Sequence, residues 1–258
     1  LGGTPGGAKA TSSHTGSMAG SDPIFNAVFA QTGIQRVYSM NELLITAAVF
    51  SQYAPRGIFP KGRRLGILTD SGGAGAEMAD IASRLGLTVP EFSPQLQEKL
   101  KKNLPPTASI RNPVDLTFVI NPTAFFDTIP RPIFRSGEVD ALITYGAYGE
   151  DYFRYGPFGQ SFMQSPEARD LMKQYNELYF AVMERAKTYP DKYNIPIAHV
   201  NLLGIDDWIV ESIREHGQPV IQYPDQAVRA MAHLIEYGIY RHRLSDRLGE
   251  PLKTSPEQ

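Results

Sequence analysis

Arg64-Leu65-Gly66-Ile67-Leu68-Thr69-Asp70-Ser71-Gly72-Gly73-Ala74-Gly75-Ala76-Glu77-Met78-Ala79-Asp80-Ile81-Ala82-Ser83-Arg84-Leu85-Gly86 is the stretch that decides the fold of this 258-residue chain. The apolar run from Arg64 to Thr69 reads as a buried strand, and the residues from Asp70 to Gly75 as a glycine-rich turn. Residues 77–85 follow as an amphipathic helix stopped at Gly86. Strand, glycine turn and helix in that order direct several backbone N–H groups and a helix N-terminus at one spot. Such a spot binds anions, most often phosphate. Two readings of the glycines stand side by side: a tight βα turn needs glycine simply to pack, and a phosphate needs it for close approach. The turn is no Walker A loop, because the Gly-Lys-Ser/Thr ending is missing.

Downstream, the alternation of strand and helix continues. Residues 88–92 form a short strand or extended stretch, and 94–104 a helix with Leu96, Leu100 and Leu104 on one face. Asn112-Pro113-Val114-Asp115-Leu116 marks a turn, where the Asn amide or the Asp carboxylate serves backbone ends rather than catalysis. A helix over 122–135, a buried strand over 139–145 and another over 195–203 follow. Asp206 or Asp207 starts a helix that runs to 215. A last strand spans 217–223, an amphipathic closing helix spans 224–234, and the polar tail from Leu244 frays. Alternating elements of this kind make an α/β fold with a doubly wound parallel sheet, helices on both faces and ligands at the carboxyl ends of the strands.

Upstream of Arg64 the pattern differs. Residues 1–22 are too polar and glycine-rich for a regular element. Asp22 caps a helix with Pro23 at its first position, closed by Gly33. Arg36-Val37-Tyr38 is a short candidate strand, Ser39 or Asn41 caps a second helix over 42–50, and Pro55, Gly57, Pro60 and Gly62 mark a break. These pieces read as the tail of a second α/β domain. The chain opens on Leu1 inside a glycine-rich motif, which reads as a piece of something longer or a chain with its start trimmed.

Composition narrows the class. The hydrophobic share of 42% and charged share of 20% are those of a globular protein, and a formal net charge of −2 gives no footprint for nucleic acid or an anionic membrane. The absence of cysteine removes disulfides, thiolate nucleophiles and Cys-based zinc sites, and fits a reducing, cytoplasmic setting. No apolar run approaches the ~20 residues of a membrane span. His199, His216, His233 and His242 lack metal-ligand spacing, so no metal site is expected. His199 lies in an apolar strand and reads as a hydrogen-bonded core residue; His233 and His242 read as solvated or C-terminal. Between Tyr145 and Pro190, Tyr148, Tyr152, Phe153, Tyr155, Phe158 and Phe162 cluster with Gly146, Gly149, Gly156 and Gly159, followed by a helix over 167–189. This aromatic insert, at about 146–194, is a substrate wall, a subunit contact or a lid.

One histidine stands apart. Ser12-Ser13-His14-Thr15-Gly16-Ser17-Met18-Ala19-Gly20-Ser21-Asp22 surrounds an imidazole with small residues that let the backbone come close to a ligand. Histidine can act there as nucleophile, base or cation near neutral pH. The wording resembles the phosphohistidine segment of the NDP-forming acyl-CoA synthetases, the ADP-forming acetate–CoA ligases among them, relatives of the succinyl-CoA synthetase α subunit. The resemblance is strong at 6–22, good at 64–86 and 104–117, fair at 217–237 and poor at 146–194.

That resemblance implies a division into 1–40, the C-terminal part of a phosphohistidine-bearing succinyl-CoA-ligase-like domain; 41–245, a flavodoxin-like ligase domain with the aromatic insert; and a polar tail at 246–258. It implies His14 as phosphoryl carrier, with Ser13, Thr15 and Gly16 flanking it and Ser71, Gly72, Gly73, Ala74 and Gly75 supplying a second set of phosphate donors. It implies a ligase using CoA, a carboxylic acid and ATP/ADP with Mg, none of them bound by this chain alone. The partners so implied are a CoA-binding Rossmann domain and an ATP-grasp domain or subunit, in an oligomer. No G-x-G-x-x-G precedes His14 and no ATP-grasp stretch follows Gln258, so this chain alone is not expected to complete a turnover. The competing functions are a non-catalytic regulatory or interaction module on the same fold, and an FMN-binding flavodoxin, which lacks an identifiable acidic or aromatic cofactor loop.

Overall fold

Four short apolar runs, buried on both faces as strands covered by helices on each side are, and one two-residue edge segment pair in parallel. They are β1 (Leu65–Thr69), β2 (Val114–Asp115), β3 (Ala141–Tyr145), β4 (Ile197–Val200) and β5 (Val220–Ile221), in the order β2-β1-β3-β4-β5. The computed structural model describes residues 4, 6, 7, 9, 22–117, 121–146, 161, 164–202 and 207–249. Around the sheet lie α1 (Asp22–Thr32), α2 (Met40–Tyr53), α3 (Gly72–Arg84), α4 (Pro94–Lys101), α5 (Pro130–Ser136), α6 (Pro166–Ala186), α7 (Tyr189–Tyr193), α8 (Trp208–Glu215) and α9 (Pro224–Leu248).

Strand side chains alternate between two cores. Leu65, Ile67, Ala141, Ile143, Ala198, Val200 and Ile221 face Val49 and Tyr53 of α2, Met78 and Ala82 of α3, and a long stripe of α9. Leu68, Val114, Leu142, Ile197 and Val220 face α4, α5, α6 and α8. The strand order is that of a flavodoxin-like sheet, with its topological switch point between β1 and β3.

Several local expectations are corrected. Helix α3 starts at Gly72, five residues before the sequence pattern becomes amphipathic, because Ser71 takes extended backbone (φ −137°, ψ 111°) and Gly75 N already donates to Ser71 O (3.0 Å). Residues 36–38 form no strand: the Arg36 guanidinium pairs with Asp22 and Asn26 at 2.5 Å and lies over the Tyr38 ring. Thr88 makes only an isolated bridge to Arg64. The helix expected over 94–104 ends at Lys101. The one expected over 122–135 divides into a π-helical turn at Ala124–Thr128 and α5, which starts at Pro130, a residue with no N–H to continue the ladder. Gly6, Gly7 and Lys9 are helical rather than loop. Helix α9 does not fray at Leu244 but runs to Leu248, where Gly249 ends it at φ +68°. Its far half is held by packing: the Arg241 guanidinium lies 4.4 Å over the Phe59 ring.

β2 escaped the sequence pattern because it is two residues long. Asn112 secures it. Its Oδ1 accepts from Ile67 N (2.9 Å) and its Nδ2 donates to Leu65 O (2.8 Å), so one amide satisfies the edge of β1 beyond the reach of β2. The structural role expected of Asn112 is the role it has. His199 is likewise a core residue, buried and bonded on both ring nitrogens. His233 is not solvated; it packs between Gln35 and Glu42. Of the aromatic insert, Tyr148, Tyr152, Phe153, Tyr155, Phe158 and Phe162 lie outside the described residues, as do Ser13, His14, Thr15 and Gly16. Among the described residues no helix is long and apolar enough to cross a membrane, and no group of three ligating side chains is placed to hold a metal.

Candidate functional site

Ligands of open α/β sheets bind beyond the carboxyl ends of the strands, at the switch point. Here β1 ends at Thr69 and β3 at Tyr145, and Asp70 N donates to Tyr145 O (3.1 Å) to close the sheet between them. The chain then turns directly into α3. Thr69 Oγ1 fixes the turn: it accepts from Ser71 N and donates to Ser71 O, both at 2.9 Å. Because the Ser71 hydroxyl does not cap the helix and the first turn carries no acidic residue, the N–H groups of Gly72, Gly73 and Ala74 find no partner within α3. These three donors lie at the positive end of the helix dipole, beyond the carboxyl end of β1.

The glycines do different work. A Cβ on Gly75 would stand 3.0 Å from Thr69 Cγ2 and 3.2 Å from Pro113 Cβ, so Gly75 serves the close seating of α3 on β1 and the loop before β2. A Cβ on Gly73 would meet nothing within 4 Å, so packing in this chain does not require a glycine there. The sequence reading left packing and ligand approach open for this turn; Gly75 answers to the first, and Gly73 leaves room for the second.

Two carboxylates that the sequence reading placed in turns, and not in the site, border it. Asp115, at the end of β2, accepts from Thr117 N through Oδ1 (2.9 Å), while its Oδ2 lies 3.0 Å from where a Cβ on Gly72 would stand. Asp70 places Oδ2 3.4 Å from the Cβ position of Gly146, the residue after β3. Burial, aided by the charges of Asp70 and Glu77, raises the Tyr145 hydroxyl above its ordinary range. Asp70 follows the buried strand β1 at its carboxyl end, and that placement was the signal available in the sequence; Asp115 ends β2, which gave none.

Ser71, Gly72, Gly73, Ala74 and Gly75 are thus gathered at one helix N-terminus. Ser13, His14, Thr15 and Gly16 lie outside the described residues.

Comparison with known proteins identifies two domain families. Residues 1–50 match the succinyl-CoA ligase like flavodoxin domain, and residues 65–148 the ligase-CoA domain. The α subunit of an ADP-forming acetate–CoA ligase II from Pyrococcus furiosus is 35% identical over 137 residues, covering 53% of this chain and 29% of that protein. The α subunit of ligase I from the same organism is 28% identical over 244 residues, 93% of this chain and 46% of that protein. An ADP-forming 4-hydroxybutyrate–CoA ligase from Nitrosopumilus maritimus is 26% identical over 236 residues, 91% of this chain and 29% of that protein. The chain spans less than half the length of each of these relatives. In fold, it resembles an acetyl-coenzyme A synthetase 1 from Ca. Korarchaeum cryptofilum, solved with phosphate and ADP, at TM-score 0.68 and 24% identity over 96% of this chain and 47% of that one. The chain thus carries a stretch like the succinyl-CoA ligase like flavodoxin domain and one like the ligase-CoA domain, and it is similar to the α subunits of ADP-forming acetate–CoA ligases.

Proposed function

We propose that this chain is the part of an ADP-forming acyl-CoA ligase that carries the phosphoryl group, with His14 as carrier and the head of α3 as one of its docking points. The observation that carries the reading is a pairing: a complete phosphohistidine wording around His14, and three N–H donors at Gly72, Gly73 and Ala74 left without a partner within their helix, in a ligase-CoA domain. On this reading residues 1–40 close the phosphohistidine-bearing domain and 41–245 form the ligase domain. A CoA-binding domain and an ATP-grasp domain or subunit, with Mg, complete the enzyme in the cytoplasm.

The chemistry balances as follows. Phosphate displaces CoA from acyl-CoA to give an acyl phosphate in the CoA-binding part. A neutral His14 ring nitrogen attacks phosphorus; the P–N bond forms as the P–O bond to the acyl carboxylate breaks, and the free acid leaves. ADP then takes the phosphoryl group from His14 and ATP is released. The phosphohistidine oxygens need N–H donors and a helix N-terminus to offset their charge, which Ser71, Gly72, Gly73, Ala74 and Gly75 are suited to supply. Ser13, Thr15 and Gly16 are the near set.

The test is ATP formation from acyl-CoA, ADP and phosphate by the assembled enzyme, with wild-type chain or His14→Ala. Loss of turnover in the variant, with the assembly intact, is expected; undiminished turnover refutes the carrier role. The second reading, a non-catalytic module, draws on one observation: the Asp115 carboxylate beside Gly72, which opposes an arriving anion.

A further inference from the structure

Helix α1 buries no side chain, yet the segment that follows it is fastened to the sheet domain at one place. Gly33, at φ +74°, lies against the Tyr240 ring of α9, so close that a Cβ would stand 2.3 Å from it. Two residues on, Gln35 Oε1 meets His233 Nδ1 at 3.4 Å, and across the ring Glu42 Oε1 meets His233 Nε2 at 3.1 Å. The Gln35 amide cannot be turned over without loss, because its Nε2 donates to Gly33 O (3.1 Å). Both nitrogens of His233 therefore face acceptor oxygens. A neutral imidazole has one N–H and satisfies one of them; an imidazolium has two and satisfies both.

Glu42 is bound on its other side as well. Its Oε2 accepts from Tyr38 N (2.8 Å), and its own N–H donates to Ser39 Oγ (3.1 Å) at the start of α2. Burial alone would raise the Glu42 carboxyl, but the Tyr38 N–H, His233 and Arg229 together hold it below the ordinary carboxylate range. The charged groups around His233 are Glu42 from α2 and, on α9, Arg229, which also acts on Glu42. Asp225 lines the adjoining cleft and Glu236, one turn on, is occupied by Arg63. His233 and Glu42 side chains are 17% and 15% exposed, so the pair is little screened by water.

We propose that His233 is a proton-dependent clasp: as imidazolium it bridges Gln35 and Glu42, and so fixes the segment 33–42 against α9. Loss of the second ring proton breaks one bridge and loosens whatever that segment holds in place. This inference does not depend on the proposed function. If His14 is the carrier, the clasp sets how the carrier-bearing end of the chain is tethered to the docking helix.

Hydrogen exchange of the peptide covering 35–44, corrected for intrinsic rate, tests it on the full chain between about pH 5.5 and about pH 8, a span across the histidine range. Protection of the Tyr38 and Glu42 amides is expected to fall on the order of tenfold (~1.4 kcal/mol) as pH rises. His233→Gln and Glu42→Gln are expected to show the loosened level at both pH values. Ring ¹⁵N shifts of His233 in the wild type give an answer that needs no variant: two protonated nitrogens at the low pH are expected. A single protonated nitrogen there, or the same fall in protection in both variants, overturns the clasp.

Discussion

Acidification should destabilise this chain through one buried ring. His199 on β4 is 1% exposed; its Nδ1 contacts Thr144 Oγ1 at 2.7 Å and its Nε2 contacts Gln218 Oε1 at 2.7 Å. Gln218 Nε2 donates to Ala186 O (3.2 Å), which fixes the amide so that its oxygen faces the ring. The Nε2–H tautomer follows, with Thr144 donating to Nδ1; a second ring proton would turn that hydroxyl into an acceptor and place a positive charge in the core. Burial accordingly lowers the His199 pKa from 6.5 to about 4. The native state refuses a proton that the unfolded chain accepts, so stability is complete above pH ~6.5 and declines as pH falls toward ~4. At 1.36 kcal/mol per pKa unit the full loss is about 3 kcal/mol, of which about 2 kcal/mol is reached at about pH 5. For a chain of this size that is roughly 4–8 °C in Tm. Urea unfolding at about pH 7 and about pH 5, with wild type and His199→Gln side by side, measures it. The variant is less stable at neutral pH but lacks this slope, and the difference in slopes isolates His199 from the carboxylates, which titrate lower. Equal losses in both proteins, or a native ring titrating near its ordinary value, would refute the buried neutral relay.

Three further outcomes follow from the site. Gly73→Ala is expected to stabilise the chain by about 0.5–1 kcal/mol, as alanine does in an open helical position, whereas Gly75→Ala is expected to cost about 1–2 kcal/mol through its collision with Thr69 and Pro113; thermal melts of the two variants distinguish them. Asn112→Ala leaves Ile67 N–H and Leu65 C=O unpaired in the buried sheet and should cost about 2–4 kcal/mol in urea unfolding, with a near-neutral result removing the amide from its bridging role. Asp115→Asn removes a negative charge beside Gly72 and should tighten inorganic phosphate by about fivefold (~1 kcal/mol) in a ³¹P titration of the chain; unchanged binding would place phosphate elsewhere.

How much of this was legible in sequence depends on what each residue answers to. The runs that became β1 and β3 were visible because strands buried on both faces must be apolar throughout, and Gly86 and Gly137 stop their helices at positive φ as glycine allows. β2 was invisible because its two residues carry no periodicity; its anchor is the Asn112 side chain, whose partners lie more than forty positions away. The start of α3 was placed late because glycines read as loop, although tertiary seating on Thr69 and Pro113 overrides their poor helix propensity. The polar end of α9 hid the contacts of Tyr240 and Arg241 with residues from the other end of the chain. In the site, the donors from Ser71 to Gly75 could be read from local order alone. Asp115 could not, because its approach to the helix N-terminus is made by the sheet.

The account rests on His14 as phosphoryl carrier, and the direct measurement is transfer of labelled phosphoryl to this chain from acyl-CoA and labelled phosphate, with the CoA-binding part supplied, for wild type and His14→Ala. An acid-labile, base-stable label on the wild type and none on the variant is the predicted result. No label on the wild type, or a label that persists in His14→Ala, would contradict the carrier role and leave a binding module on the same fold.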